Sequence, residues 1–294
     1  MRVKTKKENR IKKPLAEKIT LAVFFVIIFA WCLTFVYVVF WAFANSLKTS
    51  NDYLNNCFNF PSSPLFSNYL NVFTEIELNG TPMMGMVFNT LWMAFLGAFV
   101  NILSSTLVAY SVSKFKYPGR GFVYALAIFV QVVPILGAGS AGYKLHVTLG
   151  LINNPALIWI GWLSGFDFAF LVLYGYFMSI SETYSEAAEI DGAGNLRIMI
   201  SVVIPQAIPA ILSLMLLQLI GMWNNYNISL MYMKKYPTLA YGIYEYERET
   251  AFGTNGGYPY FLAACILSMI PIFAVFAAFQ KTIMNNVSVG GIKG

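Results

Sequence analysis

The stretch SETYSEAAEIDGAGNLRIMISVVIP, residues 181–205, does not match the chain around it. The whole sequence is 58% hydrophobic and 11% charged, yet here Glu182, Glu186, Glu189 and Asp191 stand against a single Arg197 among alanines and glycines. Thr183 and Glu186, three apart, have the spacing of a capping box, which predicts a short helix through Ala187 and Ala188. Gly192 and Gly194 are placed to stop it, because glycine accepts the left-handed backbone that a helix end favours. Asn195 is then placed to cap a second short helix through Arg197, Met199 and Ile200 toward Pro205. The stretch therefore reads as a compact helix–turn–helix knob.

On both sides of the knob the chain is apolar. A mean hydropathy of +0.63, with 25 Phe and 18 Tyr in 294 residues, is more apolar surface than a soluble domain of this size can bury. Residues 19–47, 79–113, 121–143, 198–233 and 250–280 carry no charge, and residues 145–180 carry only Asp167. Each window exceeds the roughly 20 residues that cross a bilayer as a helix. The expected fold is an all-α integral membrane protein with six transmembrane helices, the knob joining the fourth to the fifth. A basic N-terminus, residues 1–18, precedes a transmembrane domain over residues 19–294. Pro134 and neighbouring glycines predict a kink in the third helix.

The loops predict the orientation. With the N-terminus inside, 14 of the 19 Lys and Arg residues fall on the inner face and five on the outer, at Lys48, Lys144, Lys234, Lys235 and Arg248. Basic residues accumulate on the cytoplasmic side, so both termini and the knob are expected there. The net charge of +6 is then a topology signal with affinity for anionic lipid, not a sign of nucleic acid. Cys32, Cys57 and Cys265 are scattered and His146 is the only histidine, so neither a disulfide framework nor a metal site is legible. Residues 49–80, rich in Asn, Pro and aromatics, read as an ordered outer loop.

The knob resembles the EAA loop of bacterial ABC-importer membrane subunits: EAAEIDGA (residues 186–193) and VVIPQAIPAI (202–211) keep that motif's triplet, glycine and apolar–proline pair in order. AYSVSKFKYPGRG (109–121), GMWNNYN (221–227), YPTLAYGI (236–243) and NNVSVGGIKG (285–294) are similar to carbohydrate-type permeases of the maltose and oligosaccharide class, so the likeness covers residues 60–294. Two positions depart from the pattern. Ser181 stands where members often have proline, and Asn225 where many have glutamate.

The resemblance implies a permease that binds no cofactor itself. ATP and Mg sit on two ABC ATPase partners, and a second homologous permease and an extracytoplasmic solute-binding protein complete the assembly in a bacterial inner membrane. It assigns ATPase contact to Glu186, Ala187, Ala188, Asp191, Gly192, Ala193 and Arg197, none of them catalytic. A merely solvated interhelical loop is the plain alternative, and it leaves the acids unexplained.

For the substrate path, Asp167 is the one acid inside a span and therefore a functional candidate, the alternatives being a pair with a neighbouring chain or a place near the outer interface. Trp162, Phe166, Trp223, Asn224, Asn225 and Tyr226 combine flat apolar faces with amide and hydroxyl groups, as sugar recognition requires. A secondary carrier or channel for small polar solutes is the competing class. It calls for inverted repeats and several intramembrane charges, and neither is found. An enzyme is disfavoured by the absence of any legible catalytic arrangement.

Overall fold

The structure, a computed structural model, describes residues 15–133, 138–251 and 257–287. It is helical almost throughout. The first helix, α1 (Leu15–Ser46), is followed by two short ones, α2 (Ser50–Asn55) and α3 (Asn68–Glu75), and a two-stranded hairpin of β1 (Glu77–Leu78) and β2 (Thr81–Pro82). The hairpin turns on Asn79 and Gly80, both with positive φ, as a tight two-residue turn requires. Then come α4 (Met83–Lys114), α5 (Arg120–Val132), α6 (Ala138–Thr148), a 3-10 turn at Ile158–Trp162 and α7 (Phe168–Ser179). After the knob helices α8 (Thr183–Ile190) and α9 (Asn195–Ile198), a π-helical turn over Met199–Val203 leads into α10 (Ile204–Trp223). A second π turn at Ile228–Tyr232, then α11 (Leu239–Ala251) and α12 (Tyr258–Val287), complete the order.

Among the described residues four helical stretches are long and apolar enough to cross a membrane: Leu15–Ser46, Met83–Lys114, Asn195–Trp223 and Tyr258–Gln280. The windows at residues 121–143, expected as a kinked helix, and 145–180, expected as a spanning helix, hold shorter apolar helices. Their apolar helices α5 and α7 have 13 and 12 residues, roughly 18–20 Å at 1.5 Å per residue, against a hydrocarbon core of about 30 Å. Composition alone cannot separate one long helix from a broken one, and within residues 145–180 Gly150, Pro155 and Gly165 supply the breaks. The predicted kink at Pro134 and the basic tract before Leu15 lie outside the described residues.

The core is built around α4, which packs along both α7 and α10, and these two also meet each other. Small residues allow the approach: a Cβ on Gly97 would meet Met222 at 3.1 Å and Trp162 at 3.4 Å, and one on Gly165 would meet Val108 at 3.3 Å. One apolar cluster joins α4 and α7 to the knob through Tyr110, Phe170, Leu173, Phe177, Ile198 and Val203. A second gathers Trp223, Leu239 and Tyr246 with α3 and α12. Thr90 Oγ1 accepts the Leu239 amide at 2.8 Å and Asn89 donates to the Pro237 carbonyl, which ties the start of α11 onto α4. Residues 49–80, expected as an outer loop, form α2, α3 and the hairpin's turn, with Tyr53 stacked on Tyr258 and Tyr69 against Phe43.

Candidate functional site

The knob forms as a helix hairpin, with different capping from that predicted. No capping box closes on Thr183, and the residue before the helix, Glu182, makes no side-chain cap. Instead the Ser181 hydroxyl accepts the Thr183 amide at 3.3 Å and donates to the Thr183 hydroxyl at 3.0 Å. The exit is a glycine turn. Gly192 takes φ +79°, its N–H bonds the Glu189 carbonyl at 2.9 Å, and the Ala193 N–H bonds the Ala188 carbonyl at 2.9 Å. Those two bonds are the paired closure of a Schellman end. Gly194, extended at φ −76° and ψ 164°, caps α9, so Asn195 is its first helical residue and not its cap.

The two faces of α8 differ. Glu182, Ser185, Glu186 and Glu189 share one side, where with Asn195 and Ile198 they wall a cleft of about 290 Å³ against Tyr110, Lys114, Phe115 and Lys116. Lys116 lies 3.4 Å from the Glu182 carboxylate, and Lys114 donates to the Ile180 carbonyl at 2.8 Å. Both charges of the Lys116–Glu182 pair are mostly exposed, so it adds little to stability. Much of the acidity is therefore turned toward the chain's own basic α4–α5 turn. The other side presents Tyr184, Ala187, Ile190 and Asp191, joined by Leu196 and Arg197 from α9, all exposed, with Ile190 88% accessible. Ala188 and Ala193 are half-buried against the knob's own core. This apolar edge escaped the sequence reading, which weighed the acids. Helical spacing of Tyr184, Ala187 and Ile190 is the signal that finds it.

The path candidates divide into two groups. In the first, Asp167 caps α7: its Oδ1 accepts the Phe170 amide and the Ser105 hydroxyl, each at 2.9 Å. The carboxylate also offsets the positive end of that short helix. Gln131 of α5 donates to the Phe166 carbonyl at 2.7 Å, and the Ser104 hydroxyl accepts the Ser164 amide at 3.0 Å. Trp162 is buried beside Trp92, ring centres 6.3 Å apart. The second group lies at the end of α10. Trp223 is 5% exposed inside the second cluster, so it is a core residue with no open face. Asn224 is exposed and returns its amide to the Ile220 carbonyl, while Asn225 accepts the Asn227 amide at 3.0 Å. Tyr226 stacks on Tyr244, centres 4.5 Å apart and planes 14° from parallel, with Arg248 above Tyr244 and paired to Glu245. Tyr244 and Arg248 were not foreseen, because their partner lies a loop away in sequence. Met222 links the two groups, packing with Trp162 beside Gly97.

A helical membrane protein with a short helix hairpin inserted directly before a long apolar helix belongs to a recognisable class. The family model for the inner membrane component of binding-protein-dependent transport systems matches residues 18–288, and the chain belongs to that family. Its members are ABC transporter permease subunits, multi-pass inner-membrane proteins and not enzymes. The chain is 26% identical to the diacetylchitobiose uptake system permease of Streptomyces coelicolor, over 88% of this chain and 85% of that one. It is 27% identical to the melibiose/raffinose/stachyose import permease of Bacillus subtilis, over 85% and 88%. A chain from the crystal structure of a bacterial ABC transporter importing the acidic polysaccharide alginate superposes with a TM-score of 0.73 at 25% identity, covering 92% of this chain and 99% of that chain.

Proposed function

We propose that the chain is the permease subunit of an importer for a sugar or oligosaccharide and that residues 181–205 take up the stroke of a separate ATPase. The observation that carries this is the exposed apolar edge of Tyr184, Ala187, Ile190 and Leu196 on a projection whose turn closes its own backbone hydrogen bonds. Such an edge calls for a covering partner. Asp191 and Arg197 frame it with opposite charges, Gly192 makes the turn, and Ala188 and Ala193 brace it from behind. Glu186 stands between edge and cleft.

The knob is continuous with the helix over Asn195–Trp223, so a pull on it moves a whole span. The intervening π turn has a local cause. Pro205 has no N–H, and its ring would crowd the Ser201 carbonyl in a regular helix. Widening the turn relieves that crowding, and the Ile204 amide reaches back to the Met199 carbonyl. The Gln206 side chain donates to the Val202 carbonyl at 2.8 Å, and Tyr176 of α7 donates to the Gln206 carbonyl. Helices α7 and α10 are thereby joined at the level where the knob attaches.

Six spans complete the arrangement, with α5 and α7 as the cores of the third and fourth, and both termini in the cytoplasm. Non-helical backbone at membrane depth is tolerated only where protein or a wet cavity surrounds it. The break before α7 therefore marks the substrate path, with Asp167, Phe166 and Trp162 along it and Asn224, Asn225 and Tyr226 toward the outer mouth. A second permease, two ATPases carrying ATP and Mg, and a solute-binding protein are the partners this reading requires. Relatives named for diacetylchitobiose, melibiose, raffinose and stachyose support the carbohydrate class. The test is reconstitution of the assembled complex with its binding protein. ATP hydrolysis should rise with a liganded binding protein, and labelled oligosaccharide should accumulate. ATP-independent exchange of solute by this chain alone would overturn the reading in favour of a secondary carrier.

A further inference from the structure

The segment after α1 folds back along it. The chain leaves the helix at Ser46, yet Phe60 returns to lie edge-on to Phe40, ring centres 6.1 Å apart. At 1.5 Å per residue, that return is about 9 Å down the helix. The fold-back is rigidly held: Asn45 donates to the Cys57 carbonyl at 2.9 Å, the buried Lys48 ammonium to the Asn56 carbonyl at 2.8 Å, and Asn68 to the Ser46 and Lys48 carbonyls. Asp52 accepts both the amide and the hydroxyl of Ser62, and the Leu65 amide bonds the Leu47 carbonyl. The segment turns Leu54, Phe58 and Phe60 outward, and Phe58 is 77% accessible.

We propose that residues 53–60 form a foot seated in the membrane interface, with Leu54, Phe58 and Phe60 inserted among lipid head groups and the first acyl carbons. Three observations favour lipid over a docked protein. First, depth: the last charge on α1 before its apolar run is Lys18, and about 20 residues from Ile19 cross the hydrocarbon, so Phe40 and Phe60 stand near the far boundary. Second, continuity: directly below Phe60, Phe40 opens an entirely apolar groove of about 540 Å³ between α1 and α12, lined by Phe35, Val36, Val39, Phe43, Ile266 and Phe273. An acyl chain fits that groove. Third, composition: residues 53–74 contain no charged side chain, whereas a protein-docking patch carries a polar and charged rim. Aromatic rings beside Asn and Ser at this level are the pattern of an interfacial belt.

The foot would brace α1, whose flanks otherwise meet little of the protein except α12. It requires only that α1 spans the membrane, so it stands or falls separately from ATPase coupling. The test is spin labelling of Leu54→Cys, Phe58→Cys and Phe60→Cys, one at a time, in the assembled transporter in lipid nanodiscs after Cys32, Cys57 and Cys265 are changed to serine. All three positions are exposed, so folding tolerates the label, and complex yield checks it. The expected result is that oxygen collides with labels 58 and 60 more often than a water-soluble nickel complex does, with or without binding protein. Three results would overturn the proposal: nickel collisions dominating, nickel access lost only on adding the binding protein, or both reagents excluded by a neighbouring subunit.

Discussion

Ser105 of α4 donates its hydroxyl to the Asp167 carboxylate at 2.9 Å, binding the central helix to the chain where α7 begins. The same oxygen caps α7, so the one acid within that apolar window serves structure before it serves anything else.

Asparagine is as good an N-cap as aspartate, while alanine in place of an Asp cap costs about 1 kcal/mol. Asp167→Asn should therefore hold its melting temperature in detergent while Asp167→Ala loses several degrees. If the path runs here, uptake per assembled complex falls in both. Full uptake by the Asn variant would reduce Asp167 to a cap.

Trp223 was singled out with its neighbours as a sugar-contact candidate, but its burial changes the test. Trp223→Ala opens a cavity in the second cluster and should cost about 3–5 kcal/mol, with lost membrane yield. Asn224→Ala and Tyr226→Leu, nearer the surface, should leave yield intact while lowering uptake. Equal uptake at equal yield in these two variants would remove the end of α10 from the path.

The turn at Gly192 separates backbone strain from crowding. A Cβ there would meet nothing within 4 Å, so Gly192→Val costs only its left-handed backbone, about 1–2 kcal/mol. Gly192→Asn, which tolerates that conformation, should retain most ATPase association and the Val variant should lose much of it. Indistinguishable pull-down by both would mean that the Schellman turn does not position the knob.

Burial, and after it the nearby Glu75 charge, pushes the Tyr246 phenol up to about 12 from 10.0. The neutral form is favoured on folding, so this contribution is intact below pH 10 and is lost as pH rises from 10 toward 12. Tyr246→Phe should flatten that part of the alkaline unfolding curve relative to the parent. Superimposable curves would show the phenol to be solvated.

Much of the knob was legible because its signals are local: a run of helix formers, then Gly192, then a second start, within a dozen residues. Its orientation was not. Whether Glu182, Glu186 and Glu189 face a partner or the chain's own Lys114 and Lys116 depends on packing between residues about 70 apart. The pairs Ser105 with Asp167, and Tyr226 with Tyr244, were hidden for the same reason. Hydropathy located the apolar windows but not their breaks, since Gly150 and Pro155 interrupt a helix without altering its mean polarity. The cap at Ser181 was missed because Thr183 and Glu186 offered a more familiar motif.

The central claim is that residues 181–205 dock on an ATPase, and Glu186→Lys tests it poorly because the new charge would also face Lys114 and Lys116 across the cleft. Ile190, the most exposed large apolar side chain on the knob, tests it cleanly. With Cys32, Cys57 and Cys265 replaced by serine, Ile190→Cys should cross-link to the ATPase subunit in the assembled complex through a short thiol-to-amine reagent. The yield should change when ATP is added. Ile190→Glu should leave the permease in the membrane at normal level while ATPase co-purification falls at least tenfold, equivalent to about 1.4 kcal/mol. An Ile190→Cys protein that reacts freely with water-soluble maleimide in the intact complex and never cross-links to the ATPase would contradict the account.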